Sequence, residues 1–552
     1  MIEIESRRSL RTVCSEVLVL LVSAFLLSIA FPGFMSANGI GFLALIALIP
    51  VFAVIRNTTW SLVWLYGFFF GFAYYIFFNY WLKGFHALAI LLVPIIKGGE
   101  MVFLFLALKA ADSFFKKHGY LLQAAIWVAY AYLSESWFAG YPYGNIAYAL
   151  YRYRILIQFI DITGIWGLIF LMVLPQAFLG SYLRDLAYNK APSFKSYIKS
   201  NVIYISLYAL FVILALIYGG VKLKEWNNKE SDRTWRVATV QHNHDSWKGG
   251  YNTYLKNFNN LRRYSIEAIE QDPDILVWSE TAFVPSVSWH TTYSAEGTDW
   301  QDIAKLTEDF VDFATSLNVP LLTGNPKGVI KDESLPPYLE DGTQNRVDYN
   351  TVILFKDGKI EKEYKKQHLV PFTEHFPYEK TMPLLYKILK ANDYNWWEKG
   401  DESVVFDLDG VKFSTPICFE DVFGYLSAEF VKAGADVIVN MTNDNWSKKV
   451  SAELQHAAIG TYRSIETRKA TIRGTNSGIT CLITPTGKME DIMEPFAMGS
   501  HLYEVPVYQS EKNTFYVEHI DLFAHIAIYI SASALAAGLI ISIMKKVKKN
   551  ER

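Results

Sequence analysis

Eight stretches of predominantly apolar residues, seven before Lys222 and one after His519, constrain this chain more than any other feature. They run approximately Val17–Met35, Gly39–Ile55, Trp60–Trp81, Ala87–Ala111, Leu121–Phe138, Gly164–Leu183, Val202–Val221 and Ile520–Met544. A bilayer core of roughly 30 Å takes about 20 apolar residues in a helix, so each is expected to cross a membrane. The second is short, and Ser134 and Glu135 interrupt the fifth. The first has no small-residue cleavage site after it and is read as a retained span rather than a signal peptide.

Most of the Asp, Glu and Lys lies between the seventh and eighth stretches, in a segment that reads like a soluble domain. Three parts follow: a seven-helix membrane domain at 1–222, a polar domain at 223–519, and an eighth helix with a basic tail at 520–552. A net charge of −2 without a basic stripe argues against nucleic acid. Cys14, Cys418 and Cys481 are too few for a disulfide framework, and no pair has metal-ligand spacing. No metal or organic cofactor is expected.

Lys and Arg in short loops report orientation, because positive loops stay in the cytoplasm. Arg7, Arg8 and Arg11 precede the first span; Arg56 follows the second; Lys109, Lys116 and Lys117 follow the fourth; Arg184, Lys190, Lys195 and Lys199 follow the sixth. All fall on one side. The tail, with Lys545, Lys546, Lys548 and Lys549, joins them if the last span crosses back, which puts the polar domain outside the cytoplasm. Arg152 and Arg154, in an outside connection, run against the pattern. Lys97 and Glu100, three apart inside the fourth stretch, are expected to pair, either structurally beside Gly98-Gly99 or as a polar contact in a headgroup cavity. The segment 138–145 is rich in rings, Gly and Pro, and suits the headgroup layer.

From Trp235 onward, short apolar runs alternate with helical patterns. Strands are expected at Trp235–Gln241, Asp274–Trp278, Val319–Gly324, Tyr349–Phe355, Val411–Ile417, Asp436–Met441 and Gly478–Thr484. Helices are expected at Tyr251–Gln271, Asp302–Leu317, Phe423–Ala433 and Ala452–Glu466. The alternation implies an α/β domain with covered sheets. Asp357-Gly358 reads as a hairpin turn that supplies positive backbone angles. Ala282–Trp300 and Lys380–Gly400 resist assignment and are read as lids or surface insertions.

Three segments carry chemistry. Asp274–Glu280 is a buried-looking strand that delivers a carboxylate at its C-terminal end. Tyr364–Glu374 holds lysines and a second carboxylate. Pro416–Asp421 places a thiol where a strand turns toward a helix, with a helix dipole to favour its anion. A carboxylate that takes the thiol proton, a thiolate that attacks a carbonyl and an ammonium that holds the oxyanion suffice for acyl transfer.

The order Glu, Lys, Cys resembles the nitrilase superfamily, with Trp278-Ser-Glu-Thr281, Tyr364-x-Lys-x-His-Leu-Val-Pro-Phe-x-Glu374 and Ile417-Cys-Phe-Glu420. The likeness extends over most of residues 235–507, through Val237–Asn243, Asn440–Trp446, Gln455-His456, Arg463-x-x-Glu466-x-Arg468 and Arg473–Gly478. Seven spans before such a domain and one after it are similar to the apolipoprotein N-acyltransferase family. That resemblance implies a helical membrane bundle joined to an αββα sandwich, with Glu280 as general base, Lys366 as oxyanion-stabilising lysine and Cys418 as nucleophile. Lys366 is chosen over Lys365 because the family places one residue between its lysine and His368. Glu374 would orient Lys366, and Glu420 and Phe419 would support the nucleophile's turn. Trp247 would stand near the substrate entrance. Thr373 replaces a glycine common in the family, and Phe419 stands where tyrosine is frequent.

The implied reaction moves an acyl chain from a phospholipid, through a Cys418 thioester, to the N-terminal amine of a diacylglyceryl-cysteine apolipoprotein, on the periplasmic face of a bacterial inner membrane. The rival readings are a membrane-anchored amidase using the same triad, and a transporter or receptor with an inactive sensory domain. His368 is expected to pack or hydrogen-bond near Lys366. Cys14, before the first span on the cytoplasmic side, and Cys481, a small apolar residue in a strand pattern, are assigned no chemistry.

Overall fold

A computed structural model of the chain describes residues 9–85, 89–187, 192–245, 248–376, 378–390, 396–509 and 512–550. Trp247 lies outside them. The chain divides into two compact units: residues 1–228, 454–462 and 519–552 form the first, and 229–453 with 463–518 the second.

The first unit is helical. Six of its helices among the described residues are long and apolar enough to cross a membrane: Leu10–Ser28, Trp60–Phe78, Ala89–Phe114, Ile160–Ala187, Val202–Asn227 and Leu522–Lys548. Two of the eight expected spans differ. The second is split into a 3-10 turn, Gly41–Leu45, and a nine-residue helix, Ile49–Asn57, which starts at a proline because Pro50 fits a first turn but not a helix interior. The fifth is an 18-residue helix, Gly119–Ser136, diluted by Gln123, Ser134 and Glu135. Trp60–Phe78 and Ala89–Phe114 pack through glycine. A Cβ on Gly71 would lie 3.0 Å from the Gly98 Cα, and one on Gly67 would lie 2.6 Å from the Met101 carbonyl oxygen. Only small residues let two backbones approach that closely in an apolar medium.

Several charged groups in this unit are paired. Lys97 donates to Glu100 at 3.0 Å and to the Ser134 hydroxyl at 2.7 Å, and the Trp137 indole donates to the other Glu100 oxygen at 2.8 Å. The expected Lys97–Glu100 pair is therefore one part of a small network. Arg56 ties Asp112 (2.7 Å) to Asp185 (2.8 Å), and Lys109 donates to the Ile55 and Arg56 carbonyls that close their helix.

The second unit has two sheets. One runs in the order Gly499–Val507, Arg233–Gln241, Ile275–Val277, Leu321–Ile330, Arg346–Lys356, Lys359–Lys365, with Trp397–Glu398 pairing onto Arg346–Lys356. The other runs Met489–Glu490, Cys481–Ile483, Ala470–Thr475, Val437–Thr442, Val411–Ser414, Phe406–Leu408. Side chains alternate across a strand, and Arg233–Gln241 uses both faces. Trp235 stacks on Phe413 of the other sheet (5.0 Å between ring centroids) and Gln241 reaches Thr480 (2.7 Å). Ala238 and Val240 instead join a core with Phe258, Leu261, Phe310 and Phe313 from the helices Tyr251–Ile269 and Gln301–Ser316. Helices Gly424–Lys432 and Val450–Thr467 serve the second sheet, the latter through a Ser464–Thr471 hydrogen bond of 2.8 Å. The layers are helix, sheet, sheet, helix, as the resemblance implied.

Asp357 and Gly358 take φ of +52° and +78° in the expected hairpin. Ala282–Trp300 is more than a surface insertion. Phe283, Val287 and Trp289 are buried, and Asn325 holds the segment through the Phe283 and Pro285 carbonyls and the Val287 N–H. In the other unassigned segment a helix, Pro383–Lys390, exposes Leu384 and Ile388; residues 391–395 lie outside the described set.

Candidate active site

Glu280 follows the short strand Ile275–Val277 and reaches this position because its neighbour strand carries glycine: a Cβ on Gly324 would lie 2.3 Å from the Thr281 nitrogen. Its carboxylate is buried and fully engaged. Oε1 accepts from Asn350 Nδ2 at 2.8 Å and from Lys366 Nζ at 3.3 Å, and Oε2 accepts from the Asn443 backbone N–H at 3.0 Å. Asn350 and Asn443 went unnoticed in the sequence; an amide in the otherwise apolar run Tyr349–Phe355 was the available signal for the first.

Lys366 comes directly after the strand Lys359–Lys365 and is fully buried. Its backbone is pinned on both sides: its N–H donates to the Asn350 carbonyl (2.9 Å), and its carbonyl accepts from Gly400 (2.8 Å). A Cβ on Gly400 would lie 2.3 Å from the Lys365 carbonyl oxygen, so this approach needs glycine. Nζ donates to Glu374 Oε1 at 2.8 Å, and Glu374 Oε2 accepts from the Val370 N–H at 2.8 Å. Burial by itself would lower the Lys366 pKa, but the charges of Glu374 and Glu280 more than offset it and the ammonium is held protonated. Burial raises Glu374, with Lys366 opposing.

Cys418 opens a 3-10 turn, Cys418–Val422, just after Ile417 bridges Met441 of the second sheet. Its φ is +49°, a left-handed conformation that costs a non-glycine residue about 1 kcal/mol or more. The expectation that this turn favours the thiol's anion does not hold in the resting site. Burial pushes the Cys418 pKa well up, Glu280 adds to that, and Lys366 opposes. The thiol therefore rests protonated, and a base must remove its proton.

Glu420 does more than line the turn. Its buried carboxylate accepts from the Ile417 N–H (2.7 Å), the Gln367 N–H (2.6 Å), the His368 N–H (2.9 Å) and the Tyr364 hydroxyl (2.8 Å). It thus clamps the nucleophile's turn to the segment after Lys366. Burial pushes it up to about 7, against the Ile417 N–H and the charge of Lys366. Phe419 packs on His368 and Phe423 (5.9 and 5.1 Å). His368 stacks on Phe423 at 3.8 Å and bonds the Tyr425 hydroxyl at 3.0 Å, the packing role expected of it. Behind the turn, Asp421 pairs with buried Arg473, whose other nitrogen stands 3.6 Å from Asp444.

A buried carboxylate and ammonium on one sheet, with a half-buried thiol at a turn of the second sheet of an αββα sandwich, define a thiol-dependent acyl-transfer domain of the carbon-nitrogen hydrolase class. The carbon-nitrogen hydrolase family model matches residues 236–496, and the apolipoprotein N-acyltransferase N-terminal domain matches residues 23–178. Apolipoprotein N-acyltransferase 1 of Treponema denticola is 34% identical over 517 residues, covering 92% of this chain and 93% of its own. The enzyme of that name in Treponema pallidum is 34% identical over 518 residues, covering 90% and 91%. The chain belongs to the apolipoprotein N-acyltransferase family. Among solved structures, an amidase from Nesterenkonia sp. aligns over 51% of this chain and 94% of its own at 17% identity, with a TM-score of 0.34.

Proposed function

We propose that this membrane protein transfers an acyl chain from a phospholipid to the N-terminal amine of a diacylglyceryl-cysteine apolipoprotein, through a thioester on Cys418. The observation that carries the reading is the fully buried Lys366, which donates to Glu374 at 2.8 Å and to Glu280 at 3.3 Å, together with the thiol of Cys418 at the turn that follows the Ile417 bridge to the second sheet. Glu280 takes the thiol proton, and the thiolate attacks the sn-1 ester carbonyl. Lys366 stabilises the oxyanion. The ester C–O bond breaks and Glu280 returns the proton to the departing lysophospholipid oxygen. The acceptor amine then attacks the thioester; its N–C bond forms as the C–S bond breaks, and its surplus proton passes by Glu280 to the sulfur.

The proposed division puts seven helices at 1–222, the catalytic domain at 223–519 and a last helix with its tail at 520–552. The proposed location is a bacterial inner membrane with the catalytic domain on the periplasmic side; the loop charges support that side. Trp247 is proposed at the substrate entrance.

Incubation of the full chain with phospholipid alone, followed by mass analysis of the peptide containing Cys418, tests the reading. An acyl adduct on Cys418 with release of lysophospholipid is expected, and Cys418→Ala is expected to abolish lipoprotein acylation. Steady release of free fatty acid with no acyl adduct and no acylated acceptor points instead to an amidase-like hydrolase.

A further inference from the structure

The two oxygens of Glu280 are held unequally. Oε1 accepts from Asn350 and Lys366, whereas among the described residues Oε2 accepts only from the backbone N–H of Asn443, at 3.0 Å. That one donor fixes the rotation of the carboxylate plane, a terminal torsion that is otherwise soft. A backbone donor cannot be aimed alone. Its peptide is planar, so its direction is set by the carbonyl of the same unit. That carbonyl belongs to Thr442 and accepts from the backbone N–H of Asn476 at 3.0 Å. The bond lies just past the last register pair, Thr475 with Thr442, of the parallel strands Ala470–Thr475 and Val437–Thr442. Glu280 and Asn476 therefore hold opposite ends of one peptide unit.

Asn476 grips the next residue as well. Its Nδ2 donates to Asn443 Oδ1 at 2.9 Å and to the His244 carbonyl at 2.7 Å, and its Oδ1 accepts from the His244 N–H at 2.8 Å. A backbone N–H only donates and a carbonyl only accepts, so His244 settles which end of this amide is oxygen. The Asn476 carbonyl accepts from the Asn243 N–H at 2.8 Å. Asn476 is fully buried, and a buried amide with every donor and acceptor engaged holds a single geometry. Asn445 adds a parallel tie, its N–H 3.4 Å from Asn443 Oδ1 and its Nδ2 donating to Asn243 Oδ1 at 2.9 Å. Asn243 and His244 follow the strand Arg233–Gln241 of the first sheet, while Asn443 and Asn476 follow strands of the second. The network thus ties the two sheets together beside the carboxylate.

We propose that Asn476 is a positioning residue for the base. By fixing the Thr442–Asn443 peptide at its carbonyl and Asn443 at its side chain, it keeps the Asn443 N–H on Glu280 Oε2 and holds the carboxylate in one orientation while the thiol proton is taken. The inference rests on the reading of Glu280 as that base and adds a residue that never touches the reacting atoms. Asn476 acts on the rate of proton removal and leaves phospholipid binding alone.

The test uses the full chain and burst release of lysophospholipid. Asn476→Asp keeps the size and the acceptor of the side chain but removes both of its donors; Asn443→Ala keeps the backbone N–H but removes the oxygen that Asn476 holds. Expected is acylation of Cys418 slowed about 10-fold in each single variant, with the KM for phospholipid unchanged and no further slowing in the double variant. Alkylation of Cys418 by a small neutral reagent at high pH should keep its wild-type rate, which reports an intact nucleophile turn. Where Asn476→Asp loses that alkylation, Asn443→Ala alone decides between the same outcomes. Wild-type bursts in the single variants, factors that multiply in the double variant, or a loss carried by KM overturns the role of Asn476. A wild-type burst in Glu280→Gln overturns the base reading itself, and this role with it.

Discussion

Glu374 holds the tighter of the two ion pairs made by Lys366, 2.8 Å from Nζ against 3.3 Å for Glu280. This asymmetry makes Glu280 the looser partner of the ammonium, as the base proposed above requires. Glu374→Gln should let Lys366 swing to Glu280 and lower the rate of Cys418 acylation by about 10²-fold, with little change in the KM for phospholipid. Burst release of lysophospholipid is the measurement, and a wild-type burst in the variant would refute the positioning role.

Glu280 raises the Cys418 pKa by its charge, second only to burial. Glu280→Gln should therefore do two opposite things. The pH profile for alkylation of Cys418 by a small neutral reagent should move to lower pH, because the thiolate loses a repelling neighbour, while acyl transfer collapses for want of a base. A profile that stays in place or moves to higher pH would show that the two groups are not electrostatically coupled as described.

Glu420 has a folded-state pKa of about 7 against a reference of 4.5. The native state thus holds this proton more tightly than the unfolded chain, so the associated stability is full below about pH 4.5 and is lost as pH rises through 7. Subtracting the pH dependence of Glu420→Gln unfolding from that of wild type, in detergent, should isolate a decline of up to about 3 kcal/mol across that window. A flat difference would mean that the four donors around the carboxylate hold it ionised throughout.

The left-handed backbone at Cys418 separates two inactive variants. Cys418→Gly should unfold at a higher denaturant concentration than Cys418→Ala, by about 1 kcal/mol, because glycine accepts this φ without steric cost. The reverse order would show that the turn is relaxed.

Much of this was legible beforehand, for identifiable reasons. Strand positions followed from short apolar runs, and Glu280, Lys366 and Cys418 from three linked motifs. Lys359–Lys365 escaped notice because an edge strand with only Ile360 and Tyr364 as apolar residues has no hydrophobic signature. The contact of Asn350 with Glu280 was hidden for another reason: a single polar residue inside an ordinary strand pattern announces nothing until the fold shows that it is buried. The stretch Gly39–Ile55 takes the form of two short pieces because apolar composition alone does not register the effect of Pro50. The thiol's resting state went the wrong way because a turn's dipole was weighed without the burial that opposes it.

Glu280 and Lys366 are carried by one sheet and Cys418 by the other. Reactivity is therefore a property of the docked pair and of neither half. A nascent or damaged chain in which only one sheet has formed presents a thiol with no carboxylate and ammonium beside it, or those two charges with no thiol. Such a chain holds only half of the constellation, so the same docking that completes the fold also acts as the safety catch on the enzyme.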